Sequence, residues 1–288
     1  MLHAFHVNWT APFFARTANR AYAVEPFELL TSALSALAWR AHNGTIRMIC
    51  DSAAARYYDT LGLGFLWDGG VHPLLDRMPE EIDPYAFWAA GKLYALAAMP
   101  APCVMLDTDF IVWKPIAPLL GGLDAAAIHT EDIMPDIYPN AQAFPAARGF
   151  DFASLDWTVR PYNTALAYFG SDVFRRRYTD TAIRFMRASR EADNVLTYMV
   201  FAEQRLFAMC AARDGARVAA LSDLPALFGG AQQGYFTHIW GFKQQMRDEP
   251  ALYEDFCRRC AARLRREFPD AAERLAAVPP IARYFDGV

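Results

Sequence analysis

The sequence predicts an α/β protein built on a Rossmann-type, mixed but mostly parallel sheet flanked by helices, with a C-terminal helical segment. Two observations predict it. The first 62 residues alternate strand, helix, strand, helix in their pattern. Further on, the apolar run Pro102-Cys103-Val104-Met105-Leu106 meets Asp107-Thr108-Asp109, and a second apolar run comes after it and stops at Lys114-Pro115. A short run without polar alternation, bounded by proline, reads as a strand buried on both faces. Two carboxylates at its end stand where open α/β sheets hold ligands.

His3 to Val7 reads as a first strand ending at Asn8-Trp9-Thr10. Pro26 opens a helix in its favoured first turn, with Leu29, Leu30, Ala33, Leu34, Leu37 and Ala38 at helical spacing as far as Asn43-Gly44. Thr45 to Cys50 is a second strand, and Asp51-Ser52 leads into a helix over 53–61, with Ser52 as a cap and Gly62 as a stop. Residues 84–98 return to helix until Pro100 and Pro102 break it. Asp124 to Thr130 is a further strand. Residues 131–160 form a long loop rich in Pro, Asp and aromatics, of the kind that binds ligands. Pro161 to Gly170 reads as a strand opening on Asn163, Ser171 caps a helix to Arg190, and 191–211 is helix again. Residues 216–221 are a late strand, 228–237 a flexible segment, and 252–278 an amphipathic helix with an Arg-rich face. No repeat or linker divides the chain. The pattern gives one domain over 1–245 and a helical extension over 246–288 packed on it.

The bulk numbers narrow the function. Of 288 residues, 54% are hydrophobic and 14% aromatic, enough for a large core. A net charge of −4 gives no basic footprint for nucleic acid. Five scattered cysteines argue for a reducing compartment, and Cys257-Arg-Arg-Cys260 lacks the second pair that zinc needs. The N-terminus has no basic region leading into an apolar one, and the most apolar stretch, 93–106, is shorter than the ~18 residues of a membrane span. The expectation is a soluble, cytoplasmic protein. Arg258, Arg259, Arg263, Arg265 and Arg266 form a solvated helix face, with at most peripheral contact to an anionic membrane.

Asp107 and Asp109 carry the chemistry. Residues at i and i+2 of an extended strand point the same way, so both carboxylates can serve one cation. Hard oxygen ligands suit Mg²⁺ or Mn²⁺, which complete their shells with phosphate and water. A departing diphosphate needs that charge. Capping a turn is the structural alternative. Asp51, Trp9 and Thr10 end the first two strands on the edge where nucleotides bind, although Asp51 equally suits a helix cap.

Val104 to Pro115 resembles the DXD segment of GT-A-fold glycosyltransferases, most closely families 8 and 32 and bacterial DXD proteins of unknown function. The likeness continues along the chain. Phe87-Trp88-Ala-Ala-Gly91-Lys92 resembles the helix with a basic residue facing the nucleotide. Tyr162-Asn163-Thr-Ala165 resembles the Phe-Asn-Ser/Ala-Gly segment near the donor sugar. Glu203-Gln204-Arg205 resembles the Asp-Gln-Asp helix start, and His238-Ile-Trp-Gly241-Phe-Lys243 the His-x-x-Gly-x-x-Lys-Pro-Trp motif. The resemblance implies Asp107, Asp109 and His238 as metal ligands, the imidazole tilting the ion from Mg²⁺ towards Mn²⁺. It implies Thr108, Trp88, Lys92 and Lys243 around the nucleotide, and Asn163, Glu203 and Gln204 at the sugar. The departures are Ala165 for Gly, Arg205 for the second acid, and Lys243 one residue early without Pro-Trp.

The expected activity is metal-dependent glycosyl transfer from a nucleotide diphosphate sugar, UDP-linked and retaining, to an acceptor the sequence does not name: a glycan, lipid, peptide or small metabolite. An inverting enzyme needs a carboxylate base, for which Glu131, Asp132 and Asp156 are candidates, with His129 and Trp157 also facing the acceptor. Two alternatives stay open: a nucleotide-sugar-binding protein without turnover, and a DxD phosphohydrolase, whose DxD ordinarily lies near the N-terminus.

Overall fold

A computed structural model describes residues 1–17, 19–232 and 234–287. Among these residues the strands are β1 (Leu2–Asn8), β2 (Gly44–Cys50), β3 (Val71–His72), β4 (Cys103–Leu106), β5 (Phe110–Val112), β6 (Ala125–Thr130), β7 (Tyr162–Phe169), β8 (Val218–Ala220) and β9 (Phe236–His238). The helices are α1 (Ala11–Arg16), α2 (Pro26–His42), α3 (Ser52–Thr60), α4 (Ala90–Ala98), α5 (Asp172–Ala188), α6 (Val195–Val200), α7 (Leu206–Asp214), α8 (Leu224–Phe228), α9 (Phe242–Asp248), α10 (Pro250–Glu267) and α11 (Pro269–Leu275).

Seven strands form one sheet in the order β3-β2-β1-β4-β7-β6-β8. Within it β7 runs against the others, pairing antiparallel with β4 and β6. This is the mixed, mostly parallel α/β architecture that the sequence pattern predicts. Every residue of β4 is buried, as its unbroken apolar run requires. The sheet separates two apolar layers. On one side α2, α10 and α11 pack through Leu30, Leu34, Cys257, Leu264 and Leu275. On the other, α4, α5 and α7 pack through Leu93, Phe185, Phe207 and Met209.

Several local expectations change. Asp51, not Ser52, caps α3: its Oδ1 accepts from Ala54 N at 2.9 Å, while the Ser52 hydroxyl donates to Asp76. The helix expected over 84–98 begins only at Ala90, after turns closed by Phe87 N to Asp83 O and Ala90 N to Phe87 O. That expected over 191–211 begins at Val195, capped by Asn194, and contains a π-helical turn, Phe201–Arg205, between α6 and α7. His238 lies on a strand, β9, that pairs antiparallel with β5 and so belongs to a two-stranded ribbon. The C-terminal helix divides at Phe268, before Pro269. The run Val195–Asp214 is long and apolar enough to cross a membrane, and 78% of its most apolar 18-residue window is buried inside the molecule. All five cysteines are free and buried, and Cys257 and Cys260 belong to the apolar layer under α2.

Candidate functional site

β4 ends at Leu106, and the chain then turns. Asp107 N donates to Ala165 O on β7 at 2.7 Å, and Phe110 N donates back to Asp107 O at 3.0 Å. Asp107-Thr108-Asp109 is therefore a tight turn between β4 and β5, not the extended strand end that i, i+2 spacing suggests. The turn aims both carboxylates at one point. The third group arrives through backbone pairing: Phe110 stands opposite His238 in the β5–β9 ribbon. Ligand atoms of Asp107, Asp109 and His238 all lie within 4.8 Å of one another. Two carboxylates and one imidazole at that spacing fit a single divalent ion.

Two lysines balance these acids. Lys92, from α4, places its Nζ 2.6 Å from Asp107 Oδ1 and also pairs with Glu203 Oε1. Lys243, from α9, lies 3.0 Å from Asp109 Oδ2 and 3.8 Å from Glu28 Oε1. Burial alone would lower both ammonium pKa values, but the facing carboxylates outweigh it and hold both above ordinary lysine. Burial pushes the Asp107 carboxyl up to about 6, against the pull of Lys92. Burial also opposes ionisation of Asp109, yet Lys243 and His238 reverse the balance and keep it below the usual carboxylate value. His238 is brought down to about 4 by burial, so its imidazole is neutral and able to bind metal near pH 7.

The order of the sheet lays out the cleft. Asn8 and Trp9 end β1, the Asp107–Asp109 turn ends β4, and Asn163 begins the antiparallel β7 at the same edge. Between them lies a cleft of about 410 Å³. Trp9, Trp88, Lys92, Asp107, Thr108, Asp109, Asn163, Glu203, Gln204, His238 and Lys243 all line it. Thr10 and Asp51 do not. Asp51 spends one oxygen on the α3 cap and the other on Thr10, whose N and Oγ1 donate to it at 2.6 and 2.8 Å. That pair fixes the exit from β1 behind Trp9.

The π turn puts Glu203 and Gln204 into the cleft. One extra residue in the turn rotates the next helical residues out of the normal period, a distortion frequent at functional sites. Its displaced Glu203 carbonyl accepts from Tyr178 Oη at 2.6 Å. Thr164 Oγ1 donates to Glu203 Oε1 at 2.8 Å, and Tyr138 Oη to Gln204 Oε1 at 2.5 Å. Asn163 donates its amide to Glu131 Oε1 at 3.2 Å and accepts from Ala165 N at 3.1 Å.

The residues expected to face the acceptor sit elsewhere. Glu131 is buried behind Asn163, Asp132 pairs with Arg160 at the surface, and Asp156 holds Thr158. Trp157 stacks on Phe201, and none of these lines the cleft. Arg205, the departure from the acidic pattern, is buried and donates to the backbone carbonyls of Val159 and Trp157, tying the end of the long loop to the π turn. Sequence reasoning missed Glu28, Tyr22, Tyr58 and Trp240 as lining residues. Glu28 is an ordinary first-turn acid of α2 in pattern, and the tyrosines look like core. Trp240 carried a signal only in its place between His238 and Gly241.

One family model, described as Family of unknown function (DUF6734), matches residues 4–278. The chain belongs to that family. No curated protein matches this DUF6734 chain. Among solved structures it is similar to the PaToxG glycosyltransferase, at 11% identity and TM-score 0.39, over 99% of this chain and 86% of that one. Mouse xyloside xylosyltransferase 1 gives 12% and 0.39, over 76% and 84%. The galactosyltransferase LgtC, solved with donor and acceptor sugar analogues, gives 12% and 0.40, over 76% and 73%. Likenesses this remote transfer no residue roles, and the chemistry has to be read from the cleft itself.

Proposed function

We propose that the chain is a metal-dependent glycosyltransferase that uses a nucleoside diphosphate sugar, UDP-linked, and works with retention at the sugar carbon, in the manner of families 8 and 32. The convergence of Asp107, Asp109 and His238 in a cleft that also holds two lysines carries the reading. Asp107, Asp109 and His238 would hold Mn²⁺ or Mg²⁺, and the ion would neutralise charge on the departing diphosphate. Lys92 and Lys243 hold their ammonium groups against the same carboxylates, so their charge is available to phosphate oxygens entering the cleft. The edge at Asn8, Trp9, Tyr22 and Tyr58 would receive the nucleoside. Asn163, Glu203 and Gln204, on the β7 side, would orient the sugar.

Retention is supported by the fate of the acids. Among the described residues, the carboxylates lining the cleft are Glu28, Asp107, Asp109 and Glu203. Each faces a lysine. None stands unpaired beside the position an acceptor hydroxyl would take, where a base for inversion is needed. The test is incubation with a panel of nucleotide sugars, with Mn²⁺ or with a chelator, and measurement of free nucleoside diphosphate. Release should need the metal and fall at least ~100-fold in Asp109→Ala. Phosphate release from simple monoesters without preference for nucleotide sugars would count against transfer, and tight metal-dependent binding without release would mark a binding protein.

A further inference from the structure

His129, on β6, is 1% exposed, and its Nε2 has no hydrogen-bond partner in the protein. A buried polar atom left so is destabilising, so it calls for an explanation. Its other nitrogen decides the tautomer. Nδ1 lies 3.2 Å from the Thr130 carbonyl and 3.7 Å from Glu131 Oε1, both acceptors. Nδ1 therefore carries the proton, and Nε2 presents a bare lone pair. His129 borders a cavity of about 80 Å³ lined also by His238, Trp240 and Phe236. His238 borders this cavity and the main cleft alike, so the residue stands between them. Its plane lies within 8° of the Trp240 indole at 5.9 Å, and the His129 ring packs on the same indole at 6.3 Å.

A histidine that binds metal through one nitrogen carries a proton on the other, and that N–H ordinarily donates to a fixed partner. His238 has a donor to place and His129 an acceptor. The cavity between them is large enough for a water and polar enough to hold one. We propose that His129 is a positioning residue for His238, joined to it by a buried water that accepts from His238 and donates to His129 Nε2. Beyond His129, Glu131 Oε1 lies 3.7 Å from Nδ1 and accepts from Asn163 Nδ2 at 3.2 Å, so its carboxylate stands between the ligand end of the cleft and its sugar end. This rests on the metal reading given above.

The test is Mn²⁺ binding by the full chain without any sugar donor, read from the electron paramagnetic resonance of free Mn²⁺. His129→Ala should weaken binding about 10- to 100-fold. His129→Gln, whose amide oxygen can still accept from a water, should recover part of that loss. Unchanged binding in His129→Ala, with binding lost in Asp109→Ala, overturns the relay and leaves the metal site standing. Unchanged binding in Asp109→Ala removes the metal site, and the relay with it. A second measurement needs no variant: nitrogen-15 NMR of the wild type should find His129 as the Nδ1–H tautomer, and an Nε2–H tautomer overturns the proposal.

Discussion

Lys92 shows how the cleft balances its charges. It is mostly buried and faces two acids, so removing it leaves Asp107 and Glu203 without their cation. Breaking a fully buried pair costs ~3–5 kcal/mol, and the partial exposure of Asp107 reduces that, so Lys92→Met should lose about 2–3 kcal/mol in chemical denaturation. Added Mn²⁺ should return more stability to this variant than to the wild type, because the ion replaces the missing charge. A second prediction concerns His6, wholly buried on β1. Its Nδ1 accepts from Trp67 Nε1 at 3.1 Å, and its Nε2 donates to Ser35 Oγ at 3.0 Å, whose hydroxyl donates to the Phe110 carbonyl at 2.5 Å. Burial, only partly opposed by Asp109, brings its pKa down to about 3. The unfolded chain takes up this proton below about 6.5 and the folded chain does not until about 3. The folded state therefore loses up to ~1.4 kcal/mol per pH unit as pH falls through that window, and the loss is absent above it. His6→Asn should flatten the slope of unfolding free energy between about pH 6.5 and 4. Of these residues, Asp107 and Asp109 were legible because the apolar run and the acids are adjacent in sequence. Glu28 was not, since its partner Lys243 is 215 positions away and nothing local distinguishes it.

Among the elements, the apolar strands and the Pro26–His42 helix could be read from periodicity, and the structure matches them within a residue or two. The π turn at Phe201–Arg205 could not, because one extra residue leaves an apolar helix looking apolar. β9 was missed for a related reason: three residues carry no period. The π turn also anchors the 131–160 loop. Arg205 donates to the carbonyls of Trp157 and Val159, and Trp157 lies on Phe201 with planes 20° apart. Arg205→Met keeps the volume and removes two charge-assisted donors, each worth ~1.5–3 kcal/mol. Limited proteolysis should then cut within 131–160 much faster than in the wild type, while far-ultraviolet circular dichroism changes little. Equal cutting rates would mean that the loop is held by its aromatic packing alone.

At the scale of the molecule, the C-terminal helices belong to the same core as the sheet that carries the cleft. Cys257, Leu264, Leu275 and Tyr284 share the apolar layer with Phe27, Leu30 and Leu34 of α2. Arg247 pairs with Glu25 and Glu28, and Glu28 faces Lys243 in the cleft. The Arg-rich face is largely committed within the molecule: Arg259 to Asp255, Arg266 to Glu267, and Arg263 to Glu267 and over the Trp113 ring at 3.3 Å. Truncation after Gln245 should therefore yield a chain with no cooperative melting transition, visible in calorimetry, because it strips one layer of the core. The β5–β9 ribbon carries a last consequence, for the order of events during synthesis. Asp107 and Asp109 leave the ribosome well over a hundred residues before His238. Trp113 N waits for the Tyr235 carbonyl, and Phe110 for His238 itself, before the ribbon can close. A growing chain thus exposes two carboxylates without their third partner, and the three side chains can meet only once the chain has emerged past His238.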